Sequence, residues 1–235
     1  MNKTALITGG TKGIGLGIAR SLLTDGYNVA ITGRTQNSAS EIANDLNTEF
    51  GEKVIGIECD VRDLSSQERC VASVIDRFGS LDVLVANAGV GHFASIENMT
   101  PEQWNETIDI NLTGVFYSIK TSLNALKQSR GYIITIASLA GTNFFARGSA
   151  YNASKFGLVG FTQSVMLDVR NQGIKVTTIM PGSVSTYFNG HTPSEADAWK
   201  IQPEDLGQMV SDLLKINPRT LPSKIEVRPS IPGGK

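Results

Sequence analysis

The sequence predicts an α/β fold, a doubly wound, seven-stranded and mostly parallel sheet with helices on both faces. Seven short runs of apolar and β-branched residues occur along the chain, and segments with apolar residues at helical spacing separate them. The runs are continuously apolar, which is typical of strands buried on both faces and joined by helical crossovers. They cover residues 5–8, 28–32, 54–59, 83–86, 132–137, 175–180 and 225–227.

The intervening helices follow from residue spacing. Ile14, Ile18 and Leu22 share one helical face after the first run, and Val74 and Phe78 do so after the third. In a doubly wound sheet, ligands bind beyond the carboxyl ends of the strands, where the winding direction reverses. Residues that directly follow strands are therefore the candidates for chemistry.

The composition indicates one folded unit without a polyanionic partner. The 235 residues are 40% apolar and carry a formal net charge of −1, with no cluster of Lys and Arg that would favour nucleic acid or an anionic membrane. No repeat or Pro/Ser-rich linker divides the chain, so we predict a single domain over residues 1–235. Turn-forming residues replace periodicity at about 183–203, which predicts a substrate loop there.

The cysteines and histidines favour neither a disulfide framework nor a metal site. Cys59 and Cys70 lack a nearby His pair, and His92 and His191 stand alone. Two reduced thiols suit a reducing compartment. The first nine residues leave no room for an apolar signal core, and no apolar run approaches the ~20 residues of a membrane helix. We therefore expect a cytoplasmic protein without metal.

A glycine-rich turn joins the first strand to the first helix. Gly9, Gly13 and Gly15 permit backbone angles closed to other residues and let the main chain approach a pyrophosphate at the helix N-terminus. The spacing departs from the usual dinucleotide fingerprint, and no Gly-Lys-Ser/Thr follows, which excludes an ATP-type loop. Taken alone, a structural turn without a ligand remains an alternative.

The residues after the second strand favour NADP(H) over NAD(H). An NAD-binding protein normally carries a carboxylate there for the ribose 2′-hydroxyl, whereas this chain has Arg34. A guanidinium fork suits a 2′-phosphate, and Lys12 in the glycine loop could add a second positive charge. The alternative is that both are ordinary solvated cations.

Three polar residues form a candidate catalytic group. Tyr151 and Lys155 lie four residues apart on one helical face, so the ammonium is expected to favour the phenolate and lower the pKa of Tyr151. Ser138 ends the preceding strand and could hold a carbonyl oxygen, although a simple helix or turn cap is the alternative.

Together these residues resemble the single-domain short-chain dehydrogenases/reductases, which have a Rossmann fold. The resemblance extends from Lys3 to about Val227 and includes a series of motifs in the expected order. They are Thr8-Gly9-x3-Gly13-Ile14-Gly15, Asp60-Val61, Asn87-Ala88-Gly89, Asn111, Ser138, Tyr151-x3-Lys155 and Pro181-Gly182-x-Val184-x-Thr186.

The resemblance implies hydride transfer between nicotinamide C4 and a carbonyl carbon. Tyr151 would exchange a proton with the substrate oxygen, Ser138 would orient that oxygen, and Lys155 would hold the nicotinamide ribose. Asn111, expected in a long helix over 109–122, would hold a relay water. The implied cofactor-binding residues are Gly9, Thr11, Lys12, Gly13, Ile14, Gly15, Arg34, Asp60, Val61, Asn87, Ala88, Gly89, Tyr151, Lys155, Pro181, Gly182, Val184 and Thr186.

The substrate stays open at this stage. A 3-oxoacyl-[acyl-carrier-protein] reductase is one candidate, but the C-terminal strand lacks the Val-Asp-Gly-Gly segment of many such enzymes. A general aldehyde, ketone or hydroxy-acid reductase is the alternative, and a non-catalytic NADPH sensor is an alternative of another class. The short loop at 183–203 predicts a small lid and an open mouth. The resemblance also implies a homodimer or homotetramer formed through the helices that carry Asn111 and Tyr151.

Overall fold

The predicted sheet is confirmed, and all six strand pairings are parallel. The computed structural model describes residues 2–231, so the predicted domain limits at 1 and 235 lie outside the described residues. The strand order is β3-β2-β1-β4-β5-β6-β7, so the winding direction reverses between β1 and β4. The strands are β1 (Thr4–Ile7), β2 (Asn28–Gly33), β3 (Val54–Glu58), β4 (Val83–Ala86), β5 (Tyr132–Ile136), β6 (Lys175–Pro181) and β7 (Lys224–Val227).

Helices cover both faces of the sheet and create two apolar cores. Buried residues of α1, α2 and α7 form one core with the sheet, and those of α3, α5 and α6 form the other. Within the described part of the chain, no helix is both long and apolar enough to cross a membrane. The helices are α1 (Gly13–Thr24), α2 (Gln36–Phe50), α3 (Leu64–Phe78), α4 (Pro101–Ile108), α5 (Gly114–Ser129), α6 (Ser149–Val169) and α7 (Pro203–Lys215).

Capping residues explain several helix boundaries. The Thr35 hydroxyl accepts a hydrogen bond from a backbone amide of α2, and Asp63 does the same for α3. Thr100 begins α4 with a reciprocal capping box. Gly79 ends α3 with φ 81°, a left-handed conformation that glycine adopts without steric cost. Local hydrogen bonds and glycine conformation thus determine where these helices begin and end.

Helices α1 and α7 approach closely because glycines face each other. A Cβ added to Gly17 would lie 2.5 Å from the carbonyl oxygen of Pro203, and a Cβ added to Gly207 would lie 2.5 Å from the carbonyl oxygen of Gly17. Neither site has room for a methyl group without backbone movement. The contact fixes α7, which follows the loop at 183–203, against the helix that follows the glycine loop.

This contact predicts a marked loss of stability for Gly207→Ala. Overpacking a tight contact costs roughly 1–3 kcal/mol, and the backbone atoms at this site cannot rotate away. Gly160→Ala in α6 is the matched control, because an added Cβ there meets nothing within 4 Å; helix propensity should make it neutral or stabilising by up to about 1 kcal/mol. Urea denaturation measures both free energies of unfolding. Equal effects of the two variants would contradict the packing argument.

Candidate active site

The loops that follow β1 and β4 are joined at the point where the winding reverses. The Thr8 hydroxyl accepts hydrogen bonds from the backbone amides of Asn87 and Ala88 at 3.0 and 3.1 Å. The Asn87 side-chain amide donates to the carbonyl oxygens of Thr8 and Gly9 at 2.9 and 3.0 Å. Asn87, predicted to lie beside the cofactor, therefore also holds the glycine loop in place.

The glycine loop forms a cradle that side chains would fill. Gly9 and Gly13 have φ values of 63° and 56°, and a Cβ added to Gly15 would lie 2.5 Å from the carbonyl oxygen of Gly9. The side chain of Lys12, at the N-cap position of α1, makes no capping hydrogen bond, so the first amides of α1 are available to an anion. The donor set and the glycine-lined space fit a pyrophosphate.

The end of β2 lies beside this cradle. A Cβ added to Gly33 would lie 3.0 Å from Thr11 Cγ2, which puts the exposed Arg34 next to the glycine loop. The Lys12 ammonium lies 5.8 Å from the ring centroid of Tyr187, in the loop at 183–203. Sequence reasoning missed Glu58, whose carboxylate accepts a hydrogen bond from the first backbone amide of α2 at 3.0 Å.

The motif after β3 is held by two polar contacts. The Asp60 carboxylate accepts hydrogen bonds from the Arg62 guanidinium at 2.7 to 3.1 Å, and these hydrogen bonds lower the pKa of Asp60. The buried Gln67 amide, which sequence reasoning missed, donates to the carbonyl oxygens of Val61 and Gly114 at 2.6 and 2.9 Å. It ties this motif to the start of α5.

The sequence predicted that Asn111 lies in a long regular helix over 109–122, and this prediction is wrong. Asn111 belongs to a π-helical turn, Asp109–Thr113, between α4 and α5. Its fully buried amide accepts a hydrogen bond from the Val90 amide at 2.9 Å and donates to the Val90 carbonyl and to Ser154 Oγ at 2.8 and 3.0 Å. The wider turn thus links the loop after β4 to helix α6.

Lys155 is buried, with only 5% of its surface exposed. Its Nζ donates to the carbonyl oxygen of Ile136 at 3.1 Å and lies 5.6 Å from the ring centroid of Tyr151. Burial lowers the pKa of Lys155 to about 8. An ammonium has three N–H donors, so Nζ can donate further hydrogen bonds. A Cβ added to Gly89 would lie 3.8 Å from Nζ, which places Gly89 beside these free donors. This fits a ribose with two hydroxyl groups.

The pKa of Tyr151 shifts in the direction opposite to the one predicted. Burial raises it, and the Ser138 hydroxyl opposes that shift in part. The sequence argument considered the charge of Lys155 alone, whereas the structure removes the phenol from water, and this penalises the phenolate. Tyr151 is therefore a protonated phenol at neutral pH. Asn152, another missed residue, fixes the segment after Ser138 by donating to the carbonyl oxygens of Ala140 and Asn143, both at 2.8 Å.

A buried carboxylate organises the loop at 183–203. Asp197 accepts hydrogen bonds from His191 Nε2 and Lys200 Nζ, both at 2.5 Å, and from the Ser194 amide at 3.3 Å. The contacts with Lys200 and His191 hold the pKa of Asp197 far below its usual range. Sequence reasoning had no signal for this group, because its members come together only when the loop folds.

The loop at 183–203 reaches the catalytic group. The Phe188 ring centroid lies 5.7 Å from that of Tyr151 and 6.3 Å from that of Phe93. A Cβ added to Gly13 would lie 3.3 Å from Thr186 Cγ2, so the loop also contacts the glycine cradle. Its ends meet where Val184 pairs with Ile201. This short loop therefore contacts both the catalytic group and the glycine cradle.

The two histidines have carboxylate partners. His92 Nε2 lies 2.7 Å from an oxygen of Glu106, and His191 contacts Asp197. Among residues 2–231, no group of three or more His, Cys, Asp or Glu side chains is arranged to hold a metal ion.

The predicted site residues lie at the carboxyl ends of β1 to β6 and on α1, α6 and the π turn. Pro181, Gly182 and Val184 lie beside β7, where the Gly182 amide donates to the Val227 carbonyl at 2.8 Å.

The chain belongs to the short chain dehydrogenase family, whose sequence pattern matches residues 3–197. It is therefore an oxidoreductase that uses a nicotinamide cofactor and acts on CH–OH groups or the corresponding carbonyls of small molecules. The confirmed family includes relatives with different substrates, so membership defines the reaction class without defining the substrate.

Three similar proteins illustrate this range. A D-beta-hydroxybutyrate dehydrogenase of Cupriavidus necator is 39% identical over 185 residues, which cover 78% of this chain and 71% of the relative. An alcohol dehydrogenase of the archaeon Thermococcus sibiricus, solved with 5-hydroxy-NADP, superposes with a TM-score of 0.93 at 30% identity and full coverage of both chains. A variant actinorhodin polyketide ketoreductase, solved with NADPH, gives a TM-score of 0.87 at 32% identity, covering 97% of this chain and 96% of that one.

Proposed function

We propose that the protein is an NADP(H)-dependent carbonyl reductase whose catalytic residues are Tyr151, Ser138 and Lys155, with Asn111 supporting them. The observation that carries the proposal is the convergence of a protonated phenol and a buried ammonium beside a glycine-lined cradle. A cofactor seated in the cradle would extend toward Lys155. The NADP-related cofactors in two solved relatives support the choice of cofactor by similarity.

Each catalytic side chain has a definite task in reduction. Tyr151 donates the phenolic proton from Oη to the substrate oxygen, and its raised pKa keeps that proton in place at neutral pH. Ser138 donates a hydrogen bond that holds the same oxygen. The bound nicotinamide supplies the hydride in reduction and accepts it in the reverse reaction.

Lys155 and Asn111 serve the positioning and resupply of the proton. Lys155 Nζ would hold the ribose hydroxyls with the donors that Ile136 leaves free and would thereby position the nicotinamide. Asn111 fixes the loop after β4 and contacts Ser154 at 3.0 Å, and Ser154 Oγ donates to the Tyr151 carbonyl at 2.8 Å. A water held at the π turn would connect Lys155 to solvent and return the proton that Tyr151 gives up.

The test of this proposal is a panel of carbonyl compounds incubated with the protein and NADPH. The panel contains aldehydes, aliphatic and aromatic ketones, 2- and 3-oxo acids and a 3-oxoacyl thioester, and loss of NADPH absorbance is recorded. Turnover of any member supports the reductase, and a strong preference for the thioester would favour the 3-oxoacyl reductase candidate. Tight NADPH binding with no turnover across the panel would favour the sensor and overturn the proposal.

Arg34→Ala should weaken NADPH binding selectively. A charge-assisted contact with a 2′-phosphate at an exposed site is worth about 1.5 kcal/mol, so the NADPH Kd should rise about tenfold while the NADH Kd stays within about twofold. Isothermal titration with each cofactor measures this. Arg170→Ala is the control, because Arg170 is exposed after α6 and precedes the amino end of β6. Parallel loss of both cofactors would contradict the assignment.

The activity should fall at alkaline pH. The Lys155 pKa of about 8 means that the ammonium loses its proton as the pH rises through this value, while the raised pKa of Tyr151 keeps the phenol protonated. We expect kcat/KM for reduction to be constant from about pH 6 to 7.5 and to decline about tenfold per unit above pH 8. A profile of kcat/KM that stays flat to about pH 10 would contradict the role of the charged Lys155.

Two further properties belong to this proposal. Phe116 and Phe156, 44% and 43% exposed, lie on α5 and α6, and we expect them to bury against a second copy in a homodimer or homotetramer. Val115, also on α5, is buried within the chain and does not belong to this surface. Equilibrium sedimentation measures the assembly. The free, buried thiols of Cys59 and Cys70 suit a reducing compartment such as the cytoplasm.

A further inference from the structure

Two phenylalanine rings pack against the proposed proton donor, and a third packs against one of them. The Phe93 centroid lies 5.5 Å from that of Tyr151, the Phe188 centroid lies 5.7 Å from it, and the Phe145 centroid lies 5.8 Å from that of Phe93. The planes are tilted or edge-on, which are favourable arrangements for aromatic pairs. We call Phe93, Phe145 and Phe188 the aromatic wall.

Two glycines make room for the wall. A Cβ added to Gly91 would lie 2.6 Å from Phe188 Cζ and 3.0 Å from Phe93 Cζ, and a Cβ added to Gly148 would lie 2.6 Å from Phe145 Cε2. The three rings come from three separate segments, the loops after β4, β5 and β6. Gly91 lies beside Phe93 and Phe188, and Gly148 lies beside Phe145. The backbone is thus shaped to accommodate these rings.

The position of Phe188 is set by its loop. Asn189 and Gly190 follow it with φ values of 54° and 75°, which turn the chain sharply, and the Asp197 contacts hold the rest of the loop. Phe188 and Phe145 still expose 37% and 49% of their surfaces. Apolar ring surface beside the proton donor therefore remains available to a ligand.

Three polar side chains near the mouth have partners of their own. Lys200 pairs with Asp197, His92 pairs with Glu106, and Lys12 lies over the ring of Tyr187. A substituent on the substrate carbonyl that reached the wall would meet flat apolar faces. An uncharged, planar or cyclic group gains most from such a surface, because stacking adds to the burial of apolar area.

We propose that the aromatic wall is the specificity determinant of this enzyme, and that it takes an aromatic or cyclic apolar group attached directly to the reacting carbonyl or carbinol carbon. The preferred substrates are ring-bearing ketones or the corresponding secondary alcohols, rather than thioesters on an acidic carrier. This inference rests on the proposed reductase activity and adds a substrate class to it.

The test compares kcat/KM for acetophenone and 2-butanone with NADPH in the full chain. The wild-type ratio should favour acetophenone at least about tenfold, and Phe188→Ala and Phe145→Ala should each lower that ratio about fivefold. Phe188→Leu retains apolar volume without the aromatic face and should also lower it. Phe144→Ala is the control, since Phe144 is 86% exposed and adjacent to Phe145; its ratio should equal that of the wild type.

The outcomes separate this inference from the proposed function. Reduction of 2-butanone or acetoacetyl-CoA with equal or higher kcat/KM than acetophenone would overturn the substrate class and leave the reductase intact. An unchanged ratio in Phe188→Ala and Phe145→Ala, with NADPH binding retained as evidence of folding, would overturn the role of the wall. Absence of turnover with every carbonyl would overturn both proposals.

Discussion

Tyr151→Phe should lower kcat for carbonyl reduction by about 10³-fold, because the phenol is the only group we assign to proton donation and general acid catalysis contributes about 10²–10⁴-fold. The substitution removes one hydroxyl and keeps the ring. Contacts of that ring with Phe93 and Phe188 should therefore persist. The NADPH Kd should change less than about twofold, since the proposed task of the phenol is proton donation and the other cofactor-binding residues are unchanged.

Tyr117→Phe provides the control for this measurement. Tyr117 lies in the first turn of α5, packs its ring against Phe116 and does not belong to the proposed catalytic group. Steady-state kinetics and fluorescence titration with NADPH should show wild-type values for it. If kcat of Tyr151→Phe fell by less than about tenfold, another proton donor would be required and the mechanism would be contradicted.

Lys155→Met should have the second large effect, because it should lower the activity and raise the stability of the folded chain. The buried ammonium is costly in the folded protein, as its pKa of about 8 against an ordinary value of 10.5 indicates. Removing the buried charge should stabilise the variant by about 3 kcal/mol, and losing the hydrogen bond to Ile136 should destabilise it by about 1 kcal/mol. The variant should therefore be about 2 kcal/mol more stable than the wild type without cofactor at pH 7. Carbonyl reduction should fall at least about 10²-fold.

The difference in stability between Lys155→Met and the wild type should depend on pH. Below pH 8 both the folded and unfolded wild-type chains carry the proton, and the folded state bears the full cost of the buried charge. Between pH 8 and the ordinary lysine pKa only the unfolded chain binds the proton, so wild-type stability gains on that of the variant as the pH rises. Urea denaturation at about pH 7 and pH 10 should therefore show a shrinking difference.

The exposed Lys127→Met is the matched control for the stability measurement. Because its ammonium is solvated, its removal should change the free energy of unfolding by no more than about 0.5 kcal/mol at either pH. If Lys155→Met were less stable than the wild type at pH 7, the hydrogen bond of Nζ would outweigh the burial of its charge, and the argument from the lowered pKa would fail.

Sequence patterns were sufficient for features that depend on local periodicity. The continuous apolar runs predicted seven strands, and the observed strands differ from them by at most one residue at either end, as in β1 (Thr4–Ile7) and β6 (Lys175–Pro181). The four-residue spacing of Tyr151 and Lys155 predicted a shared helical face, and α6 provides it. The order of glycines after the first strand predicted the cradle because backbone conformation depends strongly on residue type.

Features that depend on tertiary contacts could not be predicted in this way. The π turn at Asn111 has ordinary helix-forming neighbours, and the hydrogen bonds to Val90 and Ser154 that accompany it cross 21 and 43 residues of sequence. The buried charge of Asp197 needs partners on both sides within the folded loop. The pKa of Tyr151 depends on burial, which a spacing rule for Lys155 does not include.

The closed ends of the loop at 183–203 have a consequence for how specificity can diverge. Val184 and Ile201 pair with each other, and Asp197 satisfies its charge with residues of the same segment. The segment thus supplies many of its own contacts, and it also contacts the rest of the chain through Phe188, beside Tyr151, and through Thr186, beside Gly13. Replacing it with the loop of a relative should change the part of the substrate pocket that Phe188 forms and leave the parts formed by Phe93 and Phe145 in place, so specificity can diverge in steps without remodelling the core.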